Sequence, residues 1–132
     1  EQTRIYIADT LGEMGLFYRL ANIVYVGRSL SADGGGGHNP LEPALLHCAV
    51  VHGKNVQNLS DIYDDMQAEN ACVCVADQDE LLQKMEWLLS DGAACQKFTT
   101  RSHNFASAKA DVIDIVLHHI APLIEKGDSH AA

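Results

Sequence analysis

Basic residues are scarce in this chain of 132 residues: nine Lys and Arg stand against 18 Asp and Glu, for a formal net charge of −9. A protein that grips a nucleic-acid duplex neutralises phosphates with Lys and Arg, so this balance argues against nucleic acid as a partner. No apolar run approaches the roughly 18 residues needed to span a bilayer. Glu1-Gln2-Thr3-Arg4 also lacks the basic-then-apolar order of a signal peptide. The chain reads as soluble and intracellular. Its four cysteines, Cys48, Cys72, Cys74 and Cys95, are too thinly spread for a secreted disulfide scaffold. Cys72 and Cys74 share one face of a β-former run, and no second Cys or His pair follows at finger-like spacing. They read as buried free thiols rather than half of a zinc site. His118 and His119, about 100° apart on a helix, read as a solvated or half-buried pair rather than a chelate. No metal site is expected.

What is present is a hydrophobic fraction of 47%, too high for a disordered acidic tail, in a chain of single-domain length. The spacing predicts strands at Ile5–Ala8, Ile23–Val26, Ala49–Gly53 and Ala71–Ala76, each a short apolar, largely β-branched run. Helical patterns alternate with them. Thr10-Leu11-Gly12-Glu13 has capping-box spacing and precedes a stripe of Met14, Phe17, Tyr18 and Ala21. Asn39-Pro40 reads as N-cap and first helical residue, and Ser60-Asp61 leads into Ile62, Tyr63 and Met66. Asp77 with Glu80 opens a helix whose expected buried face is Leu81, Leu82, Met85, Leu88 and Leu89. From about Ala93 to Glu125 the pattern stays helical, with Phe105, Ala108, Val112, Ile115, Val116, His119, Ile120 and Leu123 on one side, and Asp128 to Ala132 are expected to fray. Alternation with short connections implies an α/β fold: a Rossmann-like parallel sheet flanked by helices, in one domain over 1–132.

Ligands of open α/β sheets bind beyond the carboxyl ends of the strands. The richest such loop follows the second predicted strand. Its four glycines, Gly34 to Gly37, run through His38 and Asn39 into a helix start, where bare backbone N–H groups and the helix dipole favour a phosphate or carboxylate. No Lys-Ser/Thr follows the glycines as in a Walker loop. Nor is there a G-x-G-x-x-G fingerprint after the first strand.

Gly27-Arg28-Ser29-Leu30, the glycines, and His38-Asn39-Pro40-Leu41-Glu42-Pro43-Ala44 follow Ile5-Tyr6-Ile7-Ala8-Asp9-Thr10-Leu11-Gly12-Glu13-Met14-Gly15. Together they closely resemble the 3-deoxy-D-manno-octulosonic acid (Kdo) transferases of lipopolysaccharide synthesis. His52-Gly53 and Val56-Gln57-Asn58 extend the resemblance over most of residues 5 to 90. It departs at Arg28, where the family usually has glycine, and in a loop before His38 that is about two residues longer than usual.

The resemblance implies a GT-B glycosyltransferase that moves Kdo from CMP-Kdo to a lipid A precursor at the cytoplasmic face of the bacterial inner membrane. This chain would form part of the C-terminal, donor-binding domain. The catalytic base and the acceptor site would lie in an N-terminal domain outside it, so no catalytic residue is assigned here, and no metal or other cofactor is implied. Carried onto matching positions, Ser29, Gly36, Gly37 and Asn39 would hold the donor phosphate and Glu42 the ribose hydroxyls, while Glu13, Met14 and Gly15 would border the cytosine. Structural roles compete with these. Glu13 and Glu42 each stand three residues after a capping residue, Ser29 could end a strand, and Met14 could be core. Two other functions remain open: a non-catalytic α/β nucleotide-binding module, and a GT-B transferase for another nucleotide sugar. A fragment with an open sheet edge is also expected to self-associate.

Overall fold

A computed structural model of the chain describes residues 5–34 and 36–128, with side-chain surroundings through residue 110. Three strands, β1 (Ile23–Tyr25), β2 (Ala49–His52) and β3 (Cys72–Cys74), form a parallel sheet in the order β1-β2-β3. Val50 pairs with Val24 on one side and Cys72 on the other. Bonds from Val26 N–H to Val51 O and from Val75 N–H to His52 O carry the ladders one residue further. Every residue of β2 is buried, as befits the middle strand of a parallel sheet covered on both faces.

The alternation of side chains along the strands divides the core in two. Val50 and Cys72 face one way, packing with Val26, Ala44, Met66, Ala71, Phe105 and Ala106. Ala49, Val51 and Val73 face the other way, against Val75, Leu88, Met85 and Phe98. Helices α2 (Leu41–Leu45) and α3 (Ser60–Ala68) cover the first face and α4 (Gln78–Ser90) the second. Helix α5 (Gly92–Asp128) reaches both, with Phe98 on one side and Phe105 on the other. The expected fold class is the observed one. The expected helical face from Val112 through Leu123 and the histidine pair at 118 and 119 lie outside the described side chains; of the segment expected to fray, Asp128 is the last residue of α5 and 129–132 lie outside the described residues.

Several local expectations are corrected. Ile5–Ala8 is not a strand: it is irregular and exposed. Described neighbours give it no ladder, because β1 pairs only with β2, and a β-former run without a partner has nothing to bond. Helix α1 (Met14–Leu20) starts after Glu13. The Thr10 hydroxyl donates to the Glu13 carboxylate instead of accepting from a backbone N–H, so the capping box does not form, and no residue of α1 is buried. Sulfur chemistry holds its end, since the Cys48 thiol donates toward the carbonyls of Tyr18 (3.1 Å) and Ala21 (3.2 Å). On α4, Leu88 is buried and Leu81 and Met85 half-buried, but Leu82 and Leu89 are exposed. Positions 81, 85 and 88 form one stripe at helical spacing, and 82 and 89 lie a further 100° round, beyond the reach of a three-stranded sheet.

The Asp77 cap forms as expected. Asp77 Oδ1 accepts the Glu80 N–H at 2.9 Å, while Glu80 Oε2 accepts from Ala76 N–H at 2.7 Å. Helices α2 and α3 end alike: the second residue past each C-cap donates back five residues, Cys48 to Pro43 O and Ala71 to Met66 O. The residues before them, His47 and Asn70, take positive φ. Both are Schellman endings, one of them using a histidine where glycine is usual.

Candidate functional site

A cleft of about 500 Å³ opens beyond the carboxyl end of β1, between α1 and the start of α2. Its apolar wall comprises Met14, Tyr18, Val24 and Tyr25, and its polar rim is His38, Asn39 and Glu42. That size falls within the range of small-molecule sites, and a mostly apolar lining with a few polar groups is their usual composition.

Three of the residues singled out from sequence, Met14, Asn39 and Glu42, meet here although 28 positions separate the first from the last. Glu42 is exposed and, among the described residues, its carboxylate makes no hydrogen bond. A capping box would have folded it back to the N–H of Asn39. The Asn39 side chain reaches the start of α2, with Oδ1 accepting the Leu41 N–H at 3.0 Å, but the helix begins at Leu41 with Pro40 as its N-cap, one residue later than expected. Tyr18 shares the cleft with Glu42. Burial, then the Glu42 charge and Cys48 raise its phenol above the usual value, so it stays a neutral donor at physiological pH.

The other site residues lie elsewhere. Ser29 is fully buried, and its hydroxyl is engaged twice, donating to Val26 O (2.5 Å) and accepting from Gly53 N–H (2.8 Å). Gly36 and Gly37 are also buried. A Cβ on Gly36 would collide with the Asn58 carboxamide, and one on Gly37 would come to 3.0 Å from Val56 Cγ1 and 3.3 Å from the Tyr63 hydroxyl. These glycines let the loop press against the segment after β2. Gly35 lies outside the described residues. Glu13 sits at the exposed start of α1, bonded by Thr10, and Gly15 accepts a bond from Arg19 at 3.2 Å. The helix-dipole expectation needs correction too. Helix α2 has only five residues, so few peptide dipoles align, and Asn39 already occupies one of its free N–H groups.

Tyr18 and Tyr25 were not among the residues singled out, whereas His38 lies within the loop expected to hold an anion. Tyr18 is visible in sequence only as part of the α1 stripe, and its role depends on a tertiary neighbour, Glu42. Behind the loop stands a buried cluster. The Tyr63 ring packs on His52 with centroids 4.4 Å apart. His52 Nδ1 lies 2.8 Å from Gly53 O, an oxygen that can only accept, so Nδ1 bears the proton. Nε2 then takes the Cys72 thiol hydrogen across 3.4 Å. Burial lowers the His52 pKa, and burial with the nearby Cys74 pushes Cys72 up to about 12. The pair is therefore neutral imidazole and thiol. Among the described residues no group of three or more His, Cys, Asp or Glu is placed to hold a metal ion, and no helix is long and apolar enough to cross a membrane.

No protein-family model matches the chain. Its sequence is 31% identical over 122 residues to a 3-deoxy-D-manno-octulosonic acid transferase of Rickettsia typhi, covering 91% of this chain and 26% of that protein. Against the transferase of the same name from Haemophilus influenzae it is 26% identical over 127 residues, 96% of this chain and 29% of the relative. A probable mitochondrial 3-deoxy-D-manno-octulosonic acid transferase of Arabidopsis thaliana is 37% identical over 92 residues, 68% of this chain and 20% of that protein. Among solved structures, the C-terminal CMP-Kdo binding domain of WaaA from Acinetobacter baumannii superposes with a TM-score of 0.73 at 33% identity, over 78% of this chain and 53% of that one. The chain spans about a quarter of the length of the curated relatives it matches.

Proposed function

We propose that this chain, which is related over nine-tenths of its length to Kdo transferases and shares the fold of a CMP-Kdo binding domain, supplies the donor site of a Kdo transferase. The observation that carries this reading is the meeting of Met14, Asn39 and Glu42 in one cleft at the carboxyl end of β1. The cytosine of CMP-Kdo would lie on the wall of Met14, Tyr18 and Tyr25. Glu42, its carboxylate unbonded, would accept both vicinal ribose hydroxyls; two acceptor oxygens match two donors. The phosphate would sit at the His38–Asn39 backbone. Ser29, Gly36 and Gly37 would then serve the phosphate indirectly, by shaping that loop.

Kdo transfer breaks the bond between the anomeric carbon and the phosphate oxygen. Positive charge grows on the sugar as negative charge grows on the departing CMP. Backbone N–H groups already aimed at the phosphate stabilise that negative charge without reorganising. This share of the work is electrostatic and calls for no metal. A net charge of −9 does not oppose it, because exposed charges beyond a Debye length of about 8 Å are screened. The base that deprotonates the acceptor, a lipid A precursor, would come from the remainder of a two-domain GT-B enzyme working at the inner membrane.

The reading is tested by titrating this chain with CMP, UMP and GMP in a calorimeter. CMP should bind most tightly. Tighter binding of UMP or GMP would assign the cleft to a different nucleotide sugar, and no binding of any of the three would remove the donor-site reading.

A further inference from the structure

Two consecutive carbonyls of the loop before α2 are tied to the segment behind it. Asn58 Nδ2 donates to Gly37 O at 2.8 Å, and the Tyr63 hydroxyl donates to His38 O at 2.6 Å. No peptide bond in the described chain is cis, and in a trans peptide the C=O of one residue points opposite to the N–H of the next. Anchoring Gly37 O therefore turns the His38 N–H away from Asn58, and anchoring His38 O turns the Asn39 N–H away from Tyr63. Neither N–H has a hydrogen-bond partner among the described residues. His38 and Asn39 line the cleft, whereas Asn58 and Tyr63 do not.

We infer that Asn58 and Tyr63 are positioning residues of the donor site, holding two successive peptide planes so that the His38 and Asn39 amides present a paired anion cradle to the cleft. The arrangement is stiff for reasons visible in the packing. Gly36 holds φ +65° with no room for a side chain beside Asn58, so the loop lies close enough for the carboxamide to reach it. Tyr63 is fully buried and braced by the ring of His52, so its hydroxyl has little freedom to leave His38. The proposal rests on the donor-site reading for the identity of the anion, a nucleotide phosphate, while the orientation of the amides is a property of the chain alone.

The test uses Tyr63→Phe, which keeps the ring on His52 and removes only the donor, and Asn58→Asp, which keeps the shape but sets an acceptor against a carbonyl. Each should weaken CMP binding by about tenfold, the scale of one hydrogen bond to a charged group. Affinity for cytidine, which lacks the phosphate, should be unchanged. A general loosening of the fold would weaken both ligands alike, and that result overturns the proposal, as does CMP affinity equal to wild type in both variants. Without any ligand, the His38 and Asn39 amide signals in nuclear magnetic resonance should broaden or shift in Tyr63→Phe; unmoved signals also overturn it. Failure of wild type to bind CMP strikes the donor-site reading instead, and the amide signals then decide the orientation by themselves.

Discussion

The hydroxyl of Ser29 accepts the backbone N–H of Gly53 at 2.8 Å, joining the loop after β1 to the loop after β2. The junction is close. The Asn55 N–H bonds the Ser29 carbonyl at 2.8 Å, and a Cβ on Gly53 would run into that same carbonyl. Two neighbouring strand ends are thereby locked before either loop reaches the cleft.

Ser29→Ala therefore leaves a buried N–H unpaired, a loss of about 1–3 kcal/mol. In a chain of this size the melting temperature should fall by about 4 °C per kcal/mol. Gly53→Ala, which forces backbone against backbone, should cost more than Ser29→Ala. Thermal melts of the two variants check the order, and a Ser29→Ala protein as stable as wild type would show that the hydroxyl contributes nothing there.

Glu42 separates recognition from capping. Its carboxylate does not return to the Asn39 backbone, so Glu42→Gln should leave the melting temperature nearly unchanged. Ribose recognition is less tolerant, because Gln offers one acceptor and a wrongly facing NH₂. Loss of one hydrogen bond to a charged group, roughly 1.5–3 kcal/mol, corresponds to CMP binding weaker by about one to two orders of magnitude. Calorimetry on Glu42→Gln and Glu42→Ala measures this. A Gln variant binding CMP as wild type does would take Glu42 out of the site.

Arg28 and Gly36 both have positive φ, 64° and 65°, yet substitution should act on them in opposite directions. Arg28 has an exposed side chain whose main described contact is an ion pair with Asp33 at 3.2 Å, and exposed pairs of this kind are worth about 0–1 kcal/mol. The left-handed backbone costs a non-glycine residue about 1–2 kcal/mol. Arg28→Gly should thus melt at or slightly above wild type, while Gly36→Ala, strained and blocked by Asn58, should melt well below it. If Arg28→Gly melts clearly lower, the ion pair outweighs the backbone strain.

The contrast between these two positions also shows what could be read from the sequence. The strands at 23–25, 49–52 and 72–74 and the Asp77 cap were legible, because a β-branched run and a cap residue act within a few positions of themselves. The bond that Asn39 accepts at the start of α2 was legible for the same reason, although the helix begins one residue later than expected. Ile5–Ala8 misleads, since a strand exists only where another strand accepts its bonds. Leu82 and Leu89 mislead because helical apolar spacing does not report how wide the covering surface is. Gly36 and Gly37 are recognisable as unusual, but their fit against Asn58 and Tyr63 arises from chain more than 20 residues on. The two tyrosines enter the cleft by tertiary placement alone.

Stability should form a plateau bounded by two buried groups. The His52 pKa is lowered in the fold, so the unfolded chain binds the extra proton first. Stability is complete above the ordinary value of 6.5 and is lost as pH falls below it toward the lower folded value. Cys72 is raised to about 12 from 9.0, so its contribution is complete below about 9 and is lost as pH climbs toward 12. Melting temperature measured from pH 5 to 10.5 should therefore be highest between these limits. His52→Gln should flatten the acid limb and Cys72→Ala the alkaline one; limbs unchanged in both variants would assign the pH dependence to other groups.

Strand β1 is an edge of the described sheet, and beside α1 the chain exposes Ile5, Tyr6, Ile7 and Leu11, followed by Leu16 and Leu20 on the helix itself. Apolar β-formers in an unpaired segment carry unbonded backbone groups and uncovered side chains together, the two features that draw another strand or another copy. The chain by itself should therefore associate as its concentration rises. Placing charge on the segment, as in Ile5→Lys with Ile7→Lys, should reverse this at little cost to the fold, because neither side chain is buried. Sedimentation from low to high micromolar concentration distinguishes the outcomes. Wild type should shift to larger species while the double variant stays monomeric, and a wild-type chain that remains monomeric throughout would mean that the exposed segment does not drive association.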